Sequence, residues 1–102
     1  MADFCITKVK YNTERSHINF VSLREVKKKA DGTATLGQPR TVPRAFVADL
    51  IRLGKASFAT AVEKADQPGF TLGADVHVIE DIYITTTPND RKRDNLGNLP
   101  EL

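Results

Sequence analysis

Only one stretch of this 102-residue chain repeats its apolar residues with helical spacing, and everything else must fold around it. Phe46, Val47, Leu50, Ile51 and Leu53 recur at three- and four-residue steps, which lines them up along one side of a helix. Thr41 is placed to cap its start, Pro43 falls in its first turn, and Gly54 ends it. Val42 lies just inside the cap within reach of Phe46, while Arg44, Asp49 and Arg52 fall toward the other side. A lone amphipathic helix needs an apolar surface to lie on, and the flanking sequence offers strands.

Asp3 to Tyr11 reads as a first strand, with Cys5, Thr7, Val9 and Tyr11 on one parity and Phe4 and Ile6 on the other. The polar residues 12–16 break it, and His17 to Val26 forms a second strand with Ile18 and Phe20 on one face. The apolar parity then changes to Val21 and Leu23, which predicts a bulge or strong twist near Phe20. Residues 27–39 read mostly as loop, with Asp31-Gly32 able to turn a short strand, 33–36, back onto 26–29. After the helix, 56–64 reads as a third strand, with its alanines leaving a helical continuation open, and Asp66-Gln67-Pro68-Gly69 as a turn. The strongest strand follows: Val76, Val78, Ile82 and Ile84 share one face, and Asp75, His77, Asp81, Tyr83 and Thr85 share the other. Residues 88–102 form an irregular tail anchored by Leu96, Leu99 and Leu102. The expected architecture is α+β: one domain over 1–102, a small antiparallel sheet of about four strands in ββαββ order, and one amphipathic helix packed on it.

Composition narrows the setting. No segment approaches the ~18 apolar residues of a membrane span, and the first residues have no basic-then-apolar leader, so a cytoplasmic location is expected. The single cysteine, Cys5, cannot form an internal disulfide, which agrees with a reducing compartment. Residues 1–55 carry 11 Lys and Arg against 5 Asp and Glu, whereas 56–102 carry 4 against 8. That split of +6 against −4 can build a basic face that steers an acidic partner.

Catalytic constellations are absent from the sequence. Asp75, His77, Asp81 and Tyr83 share a strand parity, but neighbours of one parity stand about 7 Å apart and nothing supplies a pocket or an orienting group. There is no CxxC, HxH or HExxH spacing for a metal, no G-x-S-x-G nucleophile and no phosphate loop, so neither a cofactor nor a metal is expected. An enzyme built on His77 remains the least favoured reading. The basic residues Lys8, Lys10, Arg15, Arg24, Lys27, Lys28 and Lys29 concentrate in the first hairpin, beside Phe4, Tyr11 and Phe20 as stacking surfaces for single-stranded nucleic acid. Solvation and edge protection are the favoured explanation of such lysines. Arg91-Lys92-Arg93 is a second basic cluster, weakened by Asp90 and Asp94.

The last third carries a recognisable pattern: Gly73-Ala74-Asp75-Val76-His77-Val78-Ile79, Thr86-Thr87-Pro88-Asn89-Asp90, and Asp94-Asn95-Leu96-Gly97-Asn98-Leu99-Pro100. With Ile6-Thr7-Lys8-Val9, His17-Ile18 and Leu50-Ile51 ahead of Gly54 and Phe58, it resembles the bacterial family known as domain of unknown function 3892. The resemblance spans most of the chain outside 27–39. It implies a small bacterial or phage-borne domain, with no reaction and no catalytic residues to carry over. The tail motif reads as a clasp in which Leu96 and Leu99 plug the domain; alternatively Asp90, Asp94, Asn95 and Asn98 form a ligand rim. The expected function is a non-catalytic binding or regulatory module acting through a protein partner, an inhibitor of host machinery being one form. Nucleic acid bound by the basic hairpin is the alternative.

Overall fold

The computed structural model describes residues 2–14, 17–64, 66, 69–79, 83–86, 96 and 99–102. Of the described residues 54% are strand and 11% helix, in a curled half-barrel sheet, so the expected ββαββ layout with a helix lying on a four-stranded antiparallel sheet is corrected. The order is β1 (Phe4–Tyr11), β2 (Ile18–Lys28), β3 (Ala34–Leu36), β4 (Arg40–Pro43), α1 (Arg44–Arg52), β5 (Phe58–Glu63), β6 (Phe70–Asp75), β7 (His77–Ile79) and β8 (Tyr83–Thr85). Along the main sheet the strands run β3-β2-β1-β5-β6, with β4 also paired to β2, while β7 and β8 form a separate hairpin. The sheet is mixed, because β5 joins β1 in parallel. Asp3 fixes that junction: its carboxylate Oδ2 accepts the Ser57 backbone N–H at 2.9 Å, and its own N–H donates to the Ser57 carbonyl at 3.0 Å.

Two local rules explain why the helix is shorter than its sequence pattern. Proline disfavours helical backbone in the residue before it, so Val42 stays extended and Arg40–Pro43 pairs with Phe20–Leu23 as β4. Pro43 then becomes the N-cap at φ −62° and ψ 144°, and Thr41, placed in β4, caps nothing. At the other end Gly54 adopts φ +69°, its N–H donating to Ile51 O and that of Lys55 to Leu50 O. This Schellman closure is the stop that a glycine after the last apolar residue predicts. The helix packs against β2, β4 and the β7–β8 hairpin, so it plugs a corner of the molecule and does not lie across the sheet. No described helix is long and apolar enough to cross a membrane.

Bulges set the faces of the central strands. Ile6 pairs with Leu23 but Lys8 pairs with Ser22, leaving Thr7 as an extra residue in β1; Lys10 pairs with Phe20 but Tyr11 with Ile18, leaving Asn19 extra in β2. The second lies where the parity change requires it, beside Phe20. It places Ile18 on the same side as Val21 and Leu23, all three buried, and leaves Phe20 40% exposed, against the expectation that Ile18 and Phe20 share a face. Ile6, Val9, Ile18, Val21, Leu23, Phe58, Val47 and Ala48 form the core with Val76, Ile84, Leu96 and Leu99.

The single long strand expected over 75–85 is two strands. β7 and β8 pair antiparallel, His77 with Thr85, Val78 with Ile84 and Ile79 with Tyr83, so the chain reverses between 79 and 83. Every pair in that register joins residues of one parity, so a straight strand and a folded hairpin show the same alternation. The short strand that Asp31-Gly32 can turn back within 27–39 is β3, which pairs with Val26–Lys28. Gly32 takes φ +89°, and Asp31 Oδ1 accepts the backbone N–H of Thr33 at 3.0 Å and its hydroxyl at 2.7 Å, which holds the Asp31 carboxyl below the usual carboxylate range.

Candidate functional site

The face of the sheet opposite the helix is concave. Residues paired across neighbouring strands share a face, so the register places Lys8, Lys10, Phe20, Ser22, Arg24, Val26 and Lys28 on it, with Cys5, Ala59, Ala61, Leu72, Phe70, Leu36 and Ala34. Its floor is made of small buried side chains: Cys5, Ser22, Ala59 and Ala61. Small residues let the sheet curl until its two ends face each other across a groove of about 450 Å³. Val26, Ala34, Thr35 and Leu36 line one side of it, and Gly69, Phe70 and Leu72 line the other.

Arg24 joins the two walls at the end of this groove. It starts on β2 above Cys5, its Nη1 donates to the Gly37 carbonyl at 3.0 Å, and its guanidinium carbon lies 5.2 Å from the centre of the Phe70 ring. The Phe70 contact reaches past the two strands, β1 and β5, that separate β2 from β6 in the sheet order, which only a curled sheet permits, and a guanidinium over an aromatic face is attractive. The side chain is half-buried, its Nε is shut off from water without a hydrogen-bond partner, and no described carboxylate lies within ion-pair distance of it. Beneath it, burial pushes the Cys5 thiol above its ordinary pKa, the opposite of what a reactive thiolate needs.

The basic residues singled out in the sequence are therefore divided. Lys8, Lys10, Arg24 and Lys28 share the concave face, Lys27 alternates to the other face, and Lys29 enters the β2–β3 turn; all the lysines are exposed. Arg15, Asp90, Asp94 and Asn95 lie outside the described residues, as does Asn98. The polar array around residues 75–83 is dispersed: Asp75 belongs to β6, His77 pairs with Thr85, Tyr83 stacks on His17 at 5.2 Å, and Asp81 is outside the described residues. Asp75 and His77 do line a shallow open depression of about 330 Å³ with Ala2, Ser57, Phe58 and Val76. Among the described residues no group of His, Cys, Asp and Glu could hold a metal ion.

Sequence reasoning missed Phe70 and Leu72, since a strand starting after Gly69 was not assigned there. The signal was present in Phe70-Thr71-Leu72, a short alternation directly after a turn. Leu96 and Leu99 are buried in the core as the clasp reading expects, and the chain end pairs in parallel with β1 through Val9 and Glu101.

No curated protein and no solved structure matches this chain significantly. A family model does match, over residues 5–100, and it carries the description "Protein of unknown function (DUF3892)". Nearly the whole of the groove, the core and the clasp falls within the matched segment, and the chain belongs to that family.

Proposed function

We propose that this chain is a non-catalytic binding module that takes an extended segment of a partner protein into the groove between the two ends of its curled sheet. The observation that supports this is the pairing of an apolar groove with open strand edges. β3 and β6 end the sheet order, so among the described residues each has one side with backbone N–H and C=O groups that no strand pairs. Open edges of this kind accept a further strand, whose main chain supplies hydrogen bonds and whose alternate side chains fill the groove. Leu72, 53% exposed on β6, is placed to meet such a strand.

The test is selection of displayed random peptides of about seven residues, a common strand length, on the immobilised protein. Peptides with apolar residues at alternate positions should be enriched, and Leu72→Lys should abolish their capture without altering the melting curve, because Leu72 is largely solvated already. No enrichment, or enrichment indifferent to Leu72→Lys, would sink the proposal.

A second reading has its own support. Lys8, Lys10, Arg24 and Lys28 share the concave face with Phe20, 40% exposed, which is the combination of cations and stacking surface that single-stranded nucleic acid uses. The groove favours the protein partner, because its lining offers aliphatic side chains and unpaired strand edges where a polyanion would need cations along its whole length.

A further inference from the structure

We infer that Arg24 is the specificity-determining residue of this groove and that it selects a partner strand carrying a carboxylate side chain among its apolar residues. The inference rests on the binding mode proposed above and adds the chemistry of the ligand.

A guanidinium nitrogen shut off from water normally has its N–H donor answered. Here the answers are incomplete: Nη1 has the Gly37 carbonyl, the flat face has Phe70, and Nε has nothing. Nε and Nη2 form the side of the guanidinium that takes a carboxylate in a two-point contact. No described carboxylate fills that role, although Glu63 stands opposite Phe70 in the register and Glu25 follows Arg24 in β2. Glu25 alternates to the other face of the sheet, and Glu63, paired with Phe70, shares the concave face but is exposed and makes no ion pair with Arg24. Lys28, on the same face as Arg24 and opposite Ala34 of the groove wall, adds a second cation. The apolar lining of the groove thus ends at a cation with an unanswered donor.

A strand added to β3 or β6 presents every second side chain to the concave face, so one position of the partner falls at Arg24 while its neighbours of the same parity meet Leu36, Phe70 and Leu72. The carboxylate approaches the half-exposed guanidinium and completes the pair at Nε as the two sheet edges part to admit the strand. Aspartate or glutamate at that position answers the orphaned donor; an uncharged residue leaves it buried and unpaired.

The peptide selection, run in parallel on the wild type, Arg24→Gln and Arg24→Lys, tests this. Wild-type selections should converge on one acidic residue at a fixed step from the apolar ones, and changing that residue to its amide should weaken binding about tenfold or more, the usual scale for a hydrogen bond to a charged group. Arg24→Gln should keep the apolar alternation and lose the acidic preference. Arg24→Lys should recover part of it, since lysine supplies charge without the fork. If Arg24→Gln fails to fold, the wild-type comparison of acid against amide peptides still decides the matter. Apolar enrichment with no acidic position overturns the inference and leaves the binding mode standing; no enrichment at all removes the binding mode first. A concentration-dependent dimer broken by Leu72→Lys would assign the groove to a second copy of the chain. Oligothymidylate binding lost in Arg24→Gln would assign it to nucleic acid, and either result overturns the inference.

Discussion

At the scale of single residues the tightest constraint in the molecule is the contact between Gly73 and Thr60. A Cβ on Gly73 would run into Thr60 Oγ1, the same oxygen that accepts the Ala74 backbone N–H at 3.2 Å. β6 bulges at this point, three steps from Leu72 to Asp75 facing two from Ala61 to Ala59, and Thr60 holds the extra residue in place. Gly73→Ala should therefore cost about 1–3 kcal/mol, the usual price of forcing a group into filled space. In a Thr60→Ala background the nearest remaining atoms stand back at 3.4 Å, so the same substitution should cost less than about 1 kcal/mol. Urea denaturation of the four proteins reads this as a coupling energy, and additive costs would show that the two residues do not meet. None of this was legible beforehand. Gly73 followed a turn and could be read as part of it, yet it sits inside a strand, and the partner that requires glycine lies on β5. Arg24 shows the same limit: its charge is plain in the sequence, but Phe70, Gly37 and the missing carboxylate are facts of the curled sheet alone.

At the scale of elements, what the sequence made legible was periodicity, and what it hid was every feature that leaves periodicity unchanged. The first hairpin, the stop at Gly54 and the turn at Asp31-Gly32 each have a chemical signal that acts locally, and each is found where that signal places it. The β7–β8 reversal keeps parity and so cannot be told from one long strand, and the parallel β1–β5 pairing depends on Asp3 meeting Ser57 across most of the chain. The bulge at Asn19 is the informative intermediate case. Its existence follows from the parity change, but which of Ile18 and Phe20 goes inward depends on where the extra residue sits. With Asn19 extra, Ile18 is fully buried and Phe20 is 40% exposed. Ile18→Ala should thus cost about 2–5 kcal/mol, whereas Phe20→Thr should stay within about 0.5 kcal/mol of the wild type. Denaturant midpoints that reversed this order would place the bulge on the other side of Phe20.

At the scale of the whole molecule, stability depends on β1, where segments from both ends of the chain converge. β2 covers one side of it along its full length. On the other side β5 pairs only with Phe4–Ile6, and further along the chain end takes over: Val9 donates its N–H to Pro100 O at 3.0 Å and accepts that of Leu102 at 2.8 Å. The second half of β1 is therefore interior only because the last residues complete it. Those residues also contribute Leu96 and Leu99, 3% and 8% exposed, to the same cluster that holds Val9, Ile18 and the helix residues Val47 and Ala48. Removing 96–102 would uncover core side chains and leave the Val9 backbone groups without partners, two losses that act on the centre of the sheet and not on its edge. Each of Leu96→Ala and Leu99→Ala should cost about 2–5 kcal/mol. Against the roughly 5–15 kcal/mol that separates folded from unfolded states in domains generally, the truncation should abolish cooperative melting. Substituting the exposed Leu102 to Ala should do little by comparison, since its side chain is 49% exposed and its backbone contact to Val9 is retained. Circular dichroism melts of the three point variants and the truncated chain test the arrangement. A truncated chain that melted like the full one would mean that the half-barrel closes on β1 without its tail, and that the tail merely trails from the domain.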